Sequence, residues 1–419
     1  MSKKGFALLF LPSLILTSCS FITPEPENEI PVEEEKKEEE KPQEEPPVEE
    51  FKVDKSLSFG MTDISFQEHT WTGCDYKYSH KLFEALGVKS VRFWAHVTEV
   101  LTNPTTVNES NYKIYREIFD DIKGKYQIIG MNHTNFHKEY TGVNSNSGSA
   151  KPPRDHTENS KYMRWLQDYE TSWYTLVTLF PEIEYWEIDN ECNNVDFMHR
   201  IGSADIEFTI DEMAEIYYDM SFVASRGIHR ANPNAKTVMG GLVTWASPTG
   251  TIQDWLNHLY DLIEIQETWP SNNPDDFFQV ACWHPYRYGI QPDDYKAEND
   301  SIYAVIKERE GKDKKVFLTE AGFNENWGNY SEDRVAQDIE TMYRVVVEQL
   351  PYVESLHYYR MYDEKMANNA RFGLFTNFRE INTKTNYPMA HPKKAAYTYQ
   401  ALAGGQGDLT IYEKHLLEA

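Results

Sequence analysis

Tyr185-Trp186-Glu187-Ile188-Asp189-Asn190-Glu191 and Val316-Phe317-Leu318-Thr319-Glu320-Ala321-Gly322 are two short, largely apolar stretches, each running into a glutamate. Runs of this length, bounded by polar residues, read as strands buried on both faces. Six more follow the same pattern on either side of them. The strand candidates in order are Leu57 to Ile64, Ser90 to Trp94, Tyr126 to Met131, Glu184 to Ile188, Lys236 to Gly240, Phe277 to Trp283, Lys315 to Thr319 and Val353 to Tyr358. Between them lie helical periodicities, among them Tyr112–Ile122, Tyr162–Phe180, Ile210–Arg230, Ile252–Ile265, Ser301–Glu310 and Ser331–Leu350. Strands alternating with helices predict a parallel sheet covered by helices. Eight strands are the number that closes into a barrel. A doubly wound open sheet is the alternative, but no G-x-G-x-x-G follows the first strand and no P-loop occurs. The expected fold is therefore α/β: a single (β/α)8 TIM barrel with extended βα loops over residues 51–419. Ser331-Glu332-Asp333 predicts a helix N-cap with acidic first-turn residues, and Asn232-Pro233-Asn234 a helix end.

The N-terminal residues do not fit that pattern. Lys3 and Lys4 precede an apolar stretch from Phe6 to Leu16, too short for a permanent membrane span, and residues 1–18 read as a signal peptide. Leu16-Thr17-Ser18-Cys19 resembles a bacterial lipobox, which implies cleavage before Cys19 and acylation of its thiol. Residues 19–50 hold 13 Glu against 3 Lys, with prolines and almost nothing to bury. Such a composition predicts a disordered acidic tether, stretched by like charges. The expected location is extracytoplasmic, lipid-anchored to the cell envelope.

With the tether and the two leader lysines set aside, the formal charge of −26 still leaves −18 on residues 51–419. A domain that acidic repels phosphates, which argues against a nucleic-acid partner. Cys74, Cys192 and Cys282 are the cysteines beyond Cys19. Their odd number leaves one disulfide or three buried thiols open.

The polar residues at strand ends carry the chemistry. Arg92, His133, Asn190-Glu191, His284-Pro285-Tyr286 and Glu320 each fall at or just after a C-terminal end. In a barrel those ends share one rim, where active sites are built. Two carboxyls about 5 Å apart there suit retaining hydrolysis of a glycosidic bond, one as acid and one as nucleophile. At that range both cannot ionise comfortably, so one keeps its proton. A lone Glu after a strand is more often an ion-pair partner or a cap. The weight comes from the combination of Glu at strands four and seven, Arg at two and His-x-Tyr at six.

On these residues the chain resembles clan A of the glycoside hydrolases, the retaining (β/α)8 enzymes, and is similar in flavour to families 39 and 5. The resemblance covers most of residues 55–405. It implies Glu191 as acid/base and Asn190 as a partner of the sugar 2-hydroxyl. It implies Glu320 as nucleophile, Arg92 as its support, and His284 and Tyr286 as contacts to substrate and nucleophile. Asp189 departs from the clan pattern, which has a small or apolar residue there. A second carboxylate at that point either raises the pKa of the acid or pairs with a nearby base.

His133 and His137, four apart, lack the intervening Glu of a zincin, so no metal and no cofactor are implied, and His133 reads as a hydrogen-bonding wall of the sugar pocket. His96 is a weaker candidate of the same kind. Trp71, Trp94, Trp245, Trp283 and Trp327 lie in or beside predicted rim loops; for each, core packing is the commoner explanation, and Trp327, in a polar loop, is the best candidate for a sugar platform. The loop from Lys138 to Asn159 either forms part of the cleft or is disordered. The expected partner is an oligo- or polysaccharide, and the competing reading is a glycan-binding lipoprotein on a barrel that no longer catalyses.

Overall fold

The computed structural model describes residues 57–64, 76–142, 150–200, 208–244, 250–326, 330–363, 370–376 and 391–411. The expected leader, tether, lipidation site Cys19, Cys74, Trp71, Trp245 and Trp327 all lie outside the described residues.

Eight parallel strands close into a barrel: β1 (Ser58–Ile64), β2 (Ser90–Trp94), β3 (Gln127–Asn132), β4 (Tyr185–Asn190), β5 (Lys236–Val243), β6 (Ala281–His284), β7 (Val316–Ala321) and β8 (Val353–Tyr358). Each strand pairs with its neighbours in sequence, and β1 closes on β8 through Ser58↔Ser355 and Phe59↔Leu356. Among the described residues eight helices of ten residues or more follow the strands, besides the short turns Val97–Val100 and Lys138–Thr141: α1 (Tyr76–Leu86), α2 (Glu109–Ile122), α3 (Lys161–Leu179), α4 (Ile210–Ala231), α5 (Ile252–Ile265), α6 (Pro292–Glu310), α7 (Glu332–Gln349) and α8 (Lys394–Ala403). The expected (β/α)8 architecture is observed.

The strands are buried on both faces, but the two faces differ in kind. Val91, Phe93, Trp186, Ile188, Val238, Ala281, Val316, Leu318 and Leu356 point out to the helices and are buried. Trp186, for example, meets Trp173 of α3 edge to face at 5.9 Å between ring centres. The alternate residues point inward and become polar toward the C-terminal rim. Tyr185 packs on Phe317 near the strand starts, while Arg92, Glu187, His284, Thr319 and Glu320 lie buried further along. A purely structural barrel fills this space with branched apolar residues. Here buried charge replaces them, and buried charge is retained only where it is paired.

Local chemistry explains the helix ends. Ser331 accepts from the Arg334 N–H at 3.2 Å, the predicted cap of α7, and Asn232 follows the last residue of α4. Helix α6 starts at Pro292, nine residues before the predicted Ser301. Its first turns are largely polar and charged, so periodicity does not reveal them. Pro292 at the first helical position and Asp293-Asp294 behind it are the signal that could have. The sixth strand begins at Ala281 instead of Phe277 because Pro274–Asp276 forms a 3₁₀ turn that carries Phe277 and Phe278 into the core.

Trp283 points outward into the core and donates to Asn299 of α6 at 2.8 Å, so it is a packing residue and not part of the rim. Cys192 and Cys282 are buried free thiols.

Candidate active site

Arg92, inward on β2, sits at the centre of the rim-side network. Its Nε donates to Glu187 Oε2 at 2.8 Å, and one terminal nitrogen reaches Glu187 Oε1 at 2.6 Å and Asn190 Oδ1 at 2.8 Å. The other terminal nitrogen donates to Glu320 Oε1. One guanidinium thus ties together both strands that end on a glutamate. Burial alone would lower its pKa; Glu187 and Glu320 outweigh burial and hold it above its ordinary value.

Glu320 ends β7. Arg92 holds one of its oxygens, and the Tyr286 hydroxyl donates to the other at 2.9 Å. Burial pushes this carboxyl up, but His284, Arg92 and the Tyr286 hydrogen bond outweigh it, so its pKa lies below the usual carboxylate value. A carboxylate kept ionised in a buried site is what a nucleophile needs.

Glu191 follows β4. His284 Nδ1 lies 3.1 Å from its Oε1, and Asn194 donates to its Oε2 at 3.0 Å. His284 Nδ1 is also 3.8 Å from Glu320 Oε2. The donor atoms of Glu191, His284 and Glu320 all lie within 4.8 Å of one another. The two glutamates, 129 positions apart in the chain, therefore share one pocket.

Behind them is a layer that sequence reading missed. Glu187 accepts from Arg92, from the Gly241 N–H at 3.1 Å and from Thr319 Oγ1 at 3.2 Å. Thr319 Oγ1 also lies 3.0 Å from His284 Nε2. His284 occupies this position only because β5 carries glycine there: a Cβ on Gly241 would fall 2.0 Å from Nε2. The alternation of β4 could have revealed Glu187, since an inward carboxylate two turns of the pleat below Glu191 requires a cation.

His133, after β3, forms a ring cluster with Trp94, His96 and Phe197, at 5.4, 4.8 and 6.0 Å between ring centres. Burial first, then the neighbouring His96, Lys151 and Arg92, push its pKa well below the ordinary value. His96 is lowered to about 4, again mainly by burial. Both rings are thus neutral at physiological pH, and Arg92 stands over the Trp94 ring at 5.7 Å. His137 turns away from this cluster and pairs with Thr141 Oγ1 at 3.1 Å. Tyr359 and Phe372, edge to face with each other and with Tyr286, add an aromatic wall beside Glu320.

Asp189 pairs with Lys151, whose Nζ is 2.9 Å from Oδ2. Of the two roles open to it in the sequence, pairing with a nearby base is the one observed. Lys151 comes from the loop after β3, in a short strand Ala150–Lys151 paired with His199–Arg200.

Two donor groups among the described residues are close enough to hold a metal ion: Glu187, Cys282 and His284, and Glu191, His284 and Glu320. In the first, Arg92 already neutralises Glu187, and burial pushes the Cys282 thiol well above its ordinary pKa. In the second, the same guanidinium faces Glu320. Protein cations supply the positive charge in both.

No family model and no curated protein matches the chain. Solved structures do. A family 39 glycoside hydrolase from the gut symbiont Bacteroides cellulosilyticus WH2 aligns at 14% identity and TM-score 0.55, over 83% of this chain and 63% of that one. A family 1 β-glucosidase from Thermotoga maritima aligns at 14% identity and TM-score 0.53, over 86% and 100%. Virulence factor SghA from Agrobacterium tumefaciens aligns at 12% identity and TM-score 0.55, over 83% and 97%. This chain thus spans 63% of the length of the family 39 structure. The likeness is one of fold: these structures share the closed eight-stranded barrel architecture.

Proposed function

We propose that this chain is a retaining glycoside hydrolase acting on a β-linked glycan. The observation that carries the reading is the shared pocket of Glu191 and Glu320, whose facing oxygens lie within 4.8 Å at the C-terminal ends of β4 and β7. Carboxyls that close attack the sugar directly, whereas an inverting pair stands about 6.5–9.5 Å apart to admit a water. Glu320, ionised and aimed by Arg92 and Tyr286, attacks the anomeric carbon. The bond to the departing oxygen breaks as Glu191 delivers its proton there, leaving a glycosyl ester on Glu320. Glu191 then takes a proton from water, which attacks the same carbon and frees Glu320.

The partners of the two carboxyls divide the roles. Arg92 and Tyr286 hold Glu320 as the ionised group, which leaves Glu191, bonded by His284 and Asn194, to carry the proton. Asn190, held on Arg92, and the neutral His133 wall the sugar hydroxyls, and Trp327 stands as a candidate platform.

Screening 4-nitrophenyl β-glycosides and β-linked polysaccharides tests the activity. Trapping with the matching 2-deoxy-2-fluoro glycoside, followed by peptide mass spectrometry, tests the nucleophile. A label on Glu320 is expected; a label elsewhere, or hydrolysis with inversion, refutes the mechanism. A protein that binds glycans equally well before and after Glu320→Ala, with no turnover in either, is the non-catalytic binder instead.

The same proposal places the enzyme outside the cytoplasm on a lipid anchor at Cys19, supported by the lipobox-like Leu16-Thr17-Ser18-Cys19 and the acidic stretch behind it. Release of Cys19→Ala into the soluble fraction, and loss of the acyl mass from the N-terminal peptide, test it.

A further inference from the structure

Strand β4 breaks its own alternation where it reaches the site. In a regular strand Glu187, Asp189 and Glu191 would share one face and Asn190 the other. Instead Glu187 and Asn190 both meet Arg92, Glu191 meets His284, and Asp189 turns away to Lys151. The backbone shows how: φ is 71° at Asp189 and 45° at Glu191, both in the left-handed region. Few residues other than glycine accept that region, and aspartate is one because its short side chain can bond the nearby backbone. Here Asp189 Oδ1 accepts the N–H of Asn190 at 2.8 Å. Its other oxygen faces Lys151 Nζ at 2.9 Å, an ion pair. Both side chains are buried, at 0% and 1% exposure, where neither charge stands without the other.

The loop that supplies Lys151 is fastened a second time. Arg154 and His156 both reach Oδ2 of the buried Asp219 on α4, at 2.8 and 2.9 Å. The segment that carries Lys151 is thus anchored to α4 three residues further on.

We infer that Asp189 and Lys151 are a positioning pair: the carboxylate, anchored by the lysine, holds the turned peptide that presents Asn190 to Arg92 and Glu191 to the departing oxygen. The inference rests on Glu191 acting as the acid. It explains why a charged residue occupies a place where the clan resemblance predicts a small or apolar one. Lys151 and Asp189 touch no reacting atom in this scheme; they act through the dipeptide that follows.

The test separates position from charge. Lys151→Met/Asp189→Asn and Lys151→Met/Asp189→Val both lack the ion pair. Asparagine still accepts the Asn190 N–H and tolerates a positive φ; valine does neither. The readout is the ratio of kcat/KM on a 2,4-dinitrophenyl glycoside, whose leaving group needs no acid, to that on the phenyl glycoside of the same sugar, which does. The sugar is the one on which the wild-type protein turns over fastest. The Val double variant and Lys151→Met alone are expected to lose about 10- to 100-fold more on the phenyl substrate than on the activated one, the scale of a 1 Å misplacement of the acid, while the activated substrate reports only the loss of the Asn190 contact. The Asn double variant should regain about 10-fold on the phenyl substrate over Lys151→Met. Equal losses on both substrates, or an Asn variant no better than the Val variant, overturn the inference. If the Val variant does not fold, the comparison of Lys151→Met with the Asn double variant decides alone. Glu191→Gln calibrates the ratio. An unchanged ratio there overturns the acid assignment and this inference together, whereas a changed ratio there with an unchanged one in Lys151→Met overturns this inference only.

Discussion

Replacing Arg92 by methionine removes the guanidinium that faces both Glu187 and Glu320, and its consequences divide cleanly. Glu187 is fully buried and loses two hydrogen bonds from the guanidinium, keeping those of the Gly241 N–H, Thr319 and the Cys282 thiol. Breaking a buried ion pair by deleting one partner costs about 3–5 kcal/mol. With an unfolding entropy of about 2.1 cal/mol/K per residue, a domain of about 370 residues should lose roughly 4–6 °C in Tm. Glu320 keeps the Tyr286 hydrogen bond and the neighbouring His284 but loses Arg92. An adjacent arginine lowers a carboxyl pKa by about 1–3 units, so the acid limb of kcat/KM should move up by about 1–2 pH units. At neutral pH kcat should fall by at least about 100-fold, the scale of losing one charge-stabilising donor. Arg92→Lys keeps the charge but not the fork that binds two carboxylates at once, so it should restore the acid limb and only part of the rate. The assays are a pH profile on the best 4-nitrophenyl glycoside and thermal unfolding monitored by circular dichroism. An Arg92→Met protein with an unmoved acid limb would show that the guanidinium does not keep Glu320 ionised, and the electrostatic reasoning would fail.

Tyr286→Phe removes the hydrogen bond to Glu320 and keeps the ring, so kcat should drop by about 10- to 100-fold while Tm stays within about 2 °C. Gly241→Ala places a methyl 2.0 Å from His284 Nε2, so that ring must leave Thr319 and Glu191; turnover should collapse although neither glutamate is altered, and wild-type kinetics would contradict the packing. Stability should fall in acid. His96 and His357 are lowered to about 4 and about 3, mainly by burial. Both bind fewer protons folded than unfolded, so the stability they confer is complete above their ordinary 6.5 and is lost as pH falls toward those values. Each accounts for about 3–5 kcal/mol at full extent, and His96→Gln should flatten the slope of chemical-denaturation stability between pH 6.5 and about 4.

The barrel was legible because its periodicity is local. Eight apolar runs and the helices between them are set by residues a few positions apart, and Ser90–Trp94, Val353–Tyr358 and Ile252–Ile265 coincide with their predicted bounds. Rim residues followed from one rule, that all C-terminal strand ends face the same side. Helix α6 shows where that locality fails: its start lies in polar residues whose spacing shows no buried face.

The amino-acid sequence by itself determined the strand order, the identity of the two rim glutamates and the acidity of the domain, since each depends on residue type and spacing. Only the tertiary structure decided which inward residues meet. Glu187 reads as an ordinary strand residue until barrel closure brings Arg92, Thr319 and Gly241 to it. Asp189 reads as an exception until the loop after β3 folds back with Lys151. A buried charge is stable only with its partner, and the partner is set by closure across the barrel, a distance in space that has no counterpart along the chain.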